Sequence, residues 1–131
     1  PRYCVNRAAR LLNARAKPLN GSRVLLLGVA YKPDVSDCRE SPALRIAELL
    51  KASGAVVSYY DPHVPGCTVA GERCQGLQEL APEVLAQADL VMVTCAHAAV
   101  DYALVQRHAQ AILDTVNAMA NLPDRSAIEV L

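Results

Sequence analysis

The chain alternates short continuous apolar runs with segments whose apolar residues recur at helical spacing, and Pro and Gly punctuate both. Runs this short read as strands buried on both faces. Four stand out: 23–27 (RVLLL), 56–60 (VVSYY), 90–94 (LVMVT) and 111–113 (AIL). Between the first two, residues 42–52 have a helical period, with Ser41 as N-cap, Pro42 at the first helical position and Gly54 just past the end. Helices are also predicted over 1–16, where Val5, Ala8, Ala9, Leu11 and Leu12 form one stripe, over 82–88, and over 99–108, where Val100, Leu104 and Val105 face inward. Residues 67–78 show no clear period and read as loop with a short edge strand. Residues 121–131 read as a tail with one more short strand near Ile128. Strands and helices in alternation predict a single α/β domain: a Rossmann-like parallel sheet with helices on both faces and strand 23–27 central.

Composition narrows the picture. The 131 residues contain no Trp and no Phe, so the core must be aliphatic. Thirteen basic and thirteen acidic side chains cancel, which argues against a nucleic-acid partner. No apolar run reaches the roughly 18 residues of a membrane span, and no secretory signal is recognisable. A first residue of Pro1 rather than Met suggests a processed product or an excised fragment. Five cysteines without a C-x-x-C pair read as free thiols in a reducing cytoplasm.

Candidate chemistry concentrates in residues 28–42, G-V-A-Y-K-P-D-V-S-D-C-R-E-S-P. A loop leaving the carboxyl end of a parallel strand is where open α/β sheets place ligands. This one carries Lys32 and Arg39 and opens onto a helix N-terminus, which favours an anion, so a phosphate-bearing ligand is expected. The turn has a single glycine, Gly28, and lacks the G-x-G-x-x-G of a dinucleotide site. Asp61, at the end of the second strand, stands either where a ribose is held or simply in an Asp-Pro turn. Cys95-Ala96-His97 pairs a thiol with an imidazole but supplies neither an orienting acid nor an oxyanion hole. His63 and His108 show no metal-ligand spacing, and no metal site is expected.

Gly28-Val29-Ala30-Tyr31-Lys32-Pro33-Asp34, followed by Asp37, Arg39, Glu40, Ser41, Pro42 and later Asp61-Pro62, closely resembles the C-terminal domain of the UDP-glucose/GDP-mannose dehydrogenase family. The resemblance extends from Pro1 to about Met119. It implies a UDP-binding domain at 21–131, preceded at 1–20 by a linker helix from a central domain. It implies that Tyr31 and Lys32 contact the nucleotide-sugar substrate. Arg39 then turns toward NAD held mainly on an N-terminal domain, or pairs with Asp37 or Glu40. No catalytic residue is expected here, because the family's nucleophilic cysteine belongs to the central domain. The implied parent is a cytoplasmic enzyme, a homodimer or larger, that oxidises a UDP-sugar C6 hydroxyl to a carboxylate with NAD. The loop leans toward the UDP-N-acetylmannosamine type, with UDP-glucose 6-dehydrogenase the near alternative. One departure stands out: Asp114-Thr115-Val116-Asn117 replaces the family's D-T-R-N, so Val116 stands where relatives carry an arginine. The rival reading is a stand-alone α/β nucleotide-binding or regulatory module.

Overall fold

The computed structural model describes residues 1–122 and 127–131. Five parallel strands form the main sheet: β1 (Arg23–Leu27), β2 (Val56–Tyr60), β5 (Leu90–Val93), β6 (Ile112–Asp114) and β7 (Ile128–Val130), in the order β2-β1-β5-β6-β7. The expected parallel α/β architecture is therefore present. β1 is an interior strand, while the geometric centre belongs to β5. The chain leaves β1 to one side for β2, then crosses back to place β5 on the other side. This reversal parts the connections at the carboxyl ends of β1 and β5, the switch point where such sheets bind ligands.

The buried runs explain the sheet's two faces. Val24, Leu26, Leu90, Met92 and Leu113 point to one side, where α1 (Arg2–Ala14) and α2 (Pro42–Ala52) cover them with Val5, Ala8, Leu12, Ile46, Ala47 and Leu50. Leu25, Leu27, Val91, Val93 and Ile112 point to the other, under Leu85 of α3 (Pro82–Gln87) and Val105 of α4 (Tyr102–His108). Successive strand residues thus feed opposite cores, so the central positions of β1, β5 and β6 are apolar without alternation. α1 is tied to the sheet by an Arg7–Glu129 ion pair reaching β7, and Lys17, just past it, pairs with Asp89 at 2.7 Å.

Two elements depart from the sequence expectation. Residues 66–75 form a β-hairpin, β3 (Gly66–Val69) and β4 (Glu72–Gln75), separate from the main sheet. Its turn places Ala70 at φ +51° and Gly71 at +81°, the left-handed pair that a two-residue hairpin requires. α4 starts at Tyr102, three residues later than expected, because Asp101 accepts from Leu104 N–H (3.1 Å) and caps the helix there. The strand near Ile128 is β7; the part of the predicted tail at 123–126 lies outside the described residues.

Candidate functional site

Short loops at the carboxyl edge of the sheet build the site. Gly28 takes φ +90°, and a Cβ there would stand 2.6 Å from both the Cβ and the carbonyl oxygen of Cys95. Only glycine lets the loop after β1 pass this close to the loop after β5. Thr94 stitches the two together, its hydroxyl donating to the carbonyls of Leu27 and Gly28. Further along, Asp34 (φ +63°) and Glu40 (φ +58°) are held left-handed, local strain of the kind found at functional loops. Ser41 closes the loop: its hydroxyl accepts from Ala43 N–H to cap α2 and donates to Ala30 C=O, both at 3.2 Å.

Between these loops and the N-terminus of α2 lies a cleft of about 420 Å³. Tyr31 and Lys32 line it from β1, Cys95 and Ala96 from β5, Thr115 and Val116 from β6. Lys32 is exposed and is the one charged side chain among the described residues lining the cleft. Val116, 43% exposed, presents an apolar surface to the cleft. The cleft can therefore take a largely apolar or stacked group with its anionic part at Lys32 and the α2 terminus.

Arg39 lies outside this cleft. It lines a neighbouring hollow of about 330 Å³ with Tyr31, Asp37 and Glu40. Its guanidinium holds Asp37 in a two-point pair at 3.1 and 3.0 Å, while the Arg39 backbone N–H donates to the same carboxylate. Arg39 thereby holds the Asp37 carboxyl down to about 2. The pair is exposed, with the Arg39 side chain 87% accessible, so the guanidinium keeps a free face toward solvent. Tyr31 stands between cleft and hollow and lines both.

Behind the cleft sits a group that the sequence did not bring together. The Asp61 carboxylate is fully buried. Its Oδ2 accepts from Val29 N–H (2.8 Å), Ala30 N–H (3.2 Å) and the His97 ring (2.8 Å), and its Oδ1 accepts from His63 N–H (2.8 Å). All four of these bonds serve the loops after β1, β2 and β5, and the carboxylate is sealed from solvent, so Asp61 works as a turn and loop tie rather than facing the cleft. Buried His97 has a defined tautomer: Asp34 N–H donates to Nδ1 at 2.8 Å, so Nε2 carries the proton given to Asp61. The Asp34 carboxylate in turn accepts from Ala98 N–H at 2.8 Å. The His63 ring meets that of His97 edge-on, centroids 4.7 Å apart. Buried Cys95 has its thiol pushed up to about 11, first by burial and then by Asp61 and Asp34, which removes it as a nucleophile at neutral pH. No helix among the described residues is long and apolar enough to cross a membrane.

Comparison with known proteins agrees with this geometry. A family described as "UDP-glucose/GDP-mannose dehydrogenase family, UDP binding domain" matches residues 25–121. The UDP-glucose 6-dehydrogenase of Rhizobium meliloti (strain 1021) is 34% identical over 88 residues, covering 65% of this chain and 20% of that protein. The structure of a UDP-N-acetyl-mannosamine dehydrogenase from S. aureus superposes on all of this chain and 29% of its own, with TM-score 0.66 and 30% identity. A UDP-D-ManNAc dehydrogenase from Pyrococcus horikoshii shares the fold with TM-score 0.77 at 22% identity, covering 99% of this chain and 30% of the other. The chain thus spans less than a third of each of these proteins.

Proposed function

The chain belongs to the UDP-glucose/GDP-mannose dehydrogenase family, through its UDP binding domain, and from that premise we propose that its cleft grips the UDP portion of a nucleotide sugar. On this reading the chain is the C-terminal domain of a cytoplasmic NAD-dependent dehydrogenase that oxidises a sugar C6 hydroxyl to a carboxylate and works as a homodimer or larger. Residues 1–20 connect it to a central domain. The substrate is UDP-N-acetylmannosamine or a close relative, with UDP-glucose the alternative.

The observation that carries the reading is Lys32, the one charged side chain among the described residues lining a cleft at the sheet's switch point. Its ammonium suits a pyrophosphate or sugar oxygen, and Tyr31 beside it offers a ring and a hydroxyl. Gripping the nucleotide far from the reacting carbon supports orientation there. The chain does not fit NAD as a resident cofactor. The β1–α2 turn has no glycine-rich cradle, the space over Gly28 is filled by Cys95, and Asp61 is consumed by its own loops. Arg39 suits a lesser role, turning its free guanidinium face toward the phosphates of NAD held by another domain, with Asp37 setting its orientation. The hydride acceptor and the cysteine nucleophile would come from elsewhere in the full-length enzyme.

Lys32→Ala tests the reading. Loss of a charged hydrogen bond worth roughly 1.5–3 kcal/mol should weaken UDP-sugar binding about 10- to 100-fold in calorimetric titration of the full-length enzyme. The melting temperature should hold, because an exposed loop lysine contributes little to folding. Unchanged affinity with an unchanged melt would reduce Lys32 to a solvated charge.

A further inference from the structure

Asp34, His63 and His97 come from three different loops, yet each can place one ligand atom within 4.8 Å of the other two. We propose that they form a binding site for a divalent transition metal of the zinc class, which ties the loop carrying Lys32 to the carboxyl ends of β2 and β5.

Three features support it. Histidines that bind metals almost always donate their other ring N–H to a carboxylate, which fixes the tautomer and strengthens the ligand. His97 is arranged in this way: its Nε2–H is held by the buried Asp61 at 2.8 Å, which leaves Nδ1 as the unprotonated nitrogen, now accepting from the Asp34 backbone N–H. The same carboxylate holds the backbone N–H of His63, so one buried acid positions both imidazoles. The His63 ring is half-buried and makes no hydrogen bond among the described residues, leaving a nitrogen available. Two imidazoles and one carboxylate suit zinc or cobalt rather than magnesium or calcium, and the exposed side of Asp34 leaves room for water as a fourth ligand.

Binding needs a modest rearrangement. Ligand distances of about 2.0–2.2 Å in a tetrahedral site bring ligand atoms roughly 3.5 Å apart, so the groups close by about 1 Å. The Asp34 N–H now occupies Nδ1, and its Oδ1 lies 4.0 Å away. The metal takes that lone pair as the Asp34 peptide turns aside and the carboxylate moves in. The Asp34 N–H bond to Nδ1 is exchanged for coordination, and the Asp34 carboxylate, which accepts from Ala98 N–H through Oδ1, turns its other oxygen to the metal or gives up that bond. The site stands independently of what the cleft holds.

Cobalt(II) titrated into this chain tests the site. The expected result is saturable one-to-one binding with the visible absorption of a nitrogen and oxygen ligand set and no thiolate charge-transfer band. Zinc should displace the cobalt. Affinity should fall at least ten-fold in His63→Ala and in Asp34→Asn, each checked by its melting curve; the Asn variant keeps a residue that tolerates φ +63°. If one variant loses its melt, the other decides. Absence of saturable binding, a thiolate band from the cysteines, or full affinity in a folded variant would each overturn the proposal.

Discussion

Gly28 and Arg39 show how single residues set the geometry of the site. At Gly28 an alanine would meet backbone, the Cys95 carbonyl oxygen and Cα at 2.6 and 3.0 Å, and would also be forced to φ +90°. Backbone cannot swing aside as a side chain can, so strain and overpacking add. Gly28→Ala should cost about 2–4 kcal/mol, read as a drop in denaturation midpoint. A neutral substitution would mean that the two loops are not in close contact. Arg39 acts through charge. Its pair lowers the folded-state pKa of Asp37 from 3.8 to about 2. A depressed carboxylate supports the folded loop above its unfolded pKa, and that support fades as pH falls from about 4 through 2. A carboxyl-carbon NMR titration should therefore find the Asp37 midpoint near 2, rising in Arg39→Ala toward the free value but stopping short of it, because the backbone N–H of residue 39 still donates to the carboxylate. An unshifted midpoint in the unsubstituted chain would dissolve the pair and free Arg39 altogether.

At the scale of elements, the loops after β1, β2 and β5 behave as one unit because Asp61 holds all three. Asparagine in its place must turn an NH₂ toward at least one N–H donor, whichever way the amide lies. Asp61→Asn should cost about 2–4 kcal/mol and speed amide exchange at Val29, Ala30 and His63. An unchanged melt and unchanged exchange would deny Asp61 that role. Elements whose limits are set locally were legible in the sequence. β1, β2 and α2 end where their apolar runs and caps end, since Ser41, Pro42 and Gly54 are local signals. The hairpin was not legible: β3 and β4 are four residues each, only Cys67 and Val69 are buried, and the turn forces an alanine left-handed where Asn would have advertised it. Tyr31 and Lys32 fall on the cleft because the short loop leaving β1 carries them there. The Asp61–His97 contact spans 36 residues and depends on strand order, which periodicity does not encode.

For the whole molecule, what this chain holds and lacks determines what it does alone. Its core is complete: both faces of the sheet are covered, and no buried side-chain polar atom among the described residues lacks a partner. Among the described residues lining its cleft, Lys32 supplies a cation, and no glycine-rich cradle stands beside it. The turn that would cradle a dinucleotide is closed over by Cys95, and the acid that would hold the ribose is spent on backbone. Cys95, the cysteine nearest a histidine in sequence, is buried with its thiol raised to about 11, so very little thiolate exists at neutral pH. His97 cannot deprotonate it, because both ring nitrogens are already engaged by Asp34 N–H and Asp61. The purified chain, supplied with NAD and with UDP-N-acetylmannosamine or UDP-glucose, should therefore generate no NADH above background, followed by its fluorescence. The same assay with Cys95→Ala should give the same baseline, since the thiol takes no part. NADH production that depends on the UDP-sugar would mean that a hydride acceptor site exists within these 131 residues, and would overturn the assignment of this domain to substrate binding alone.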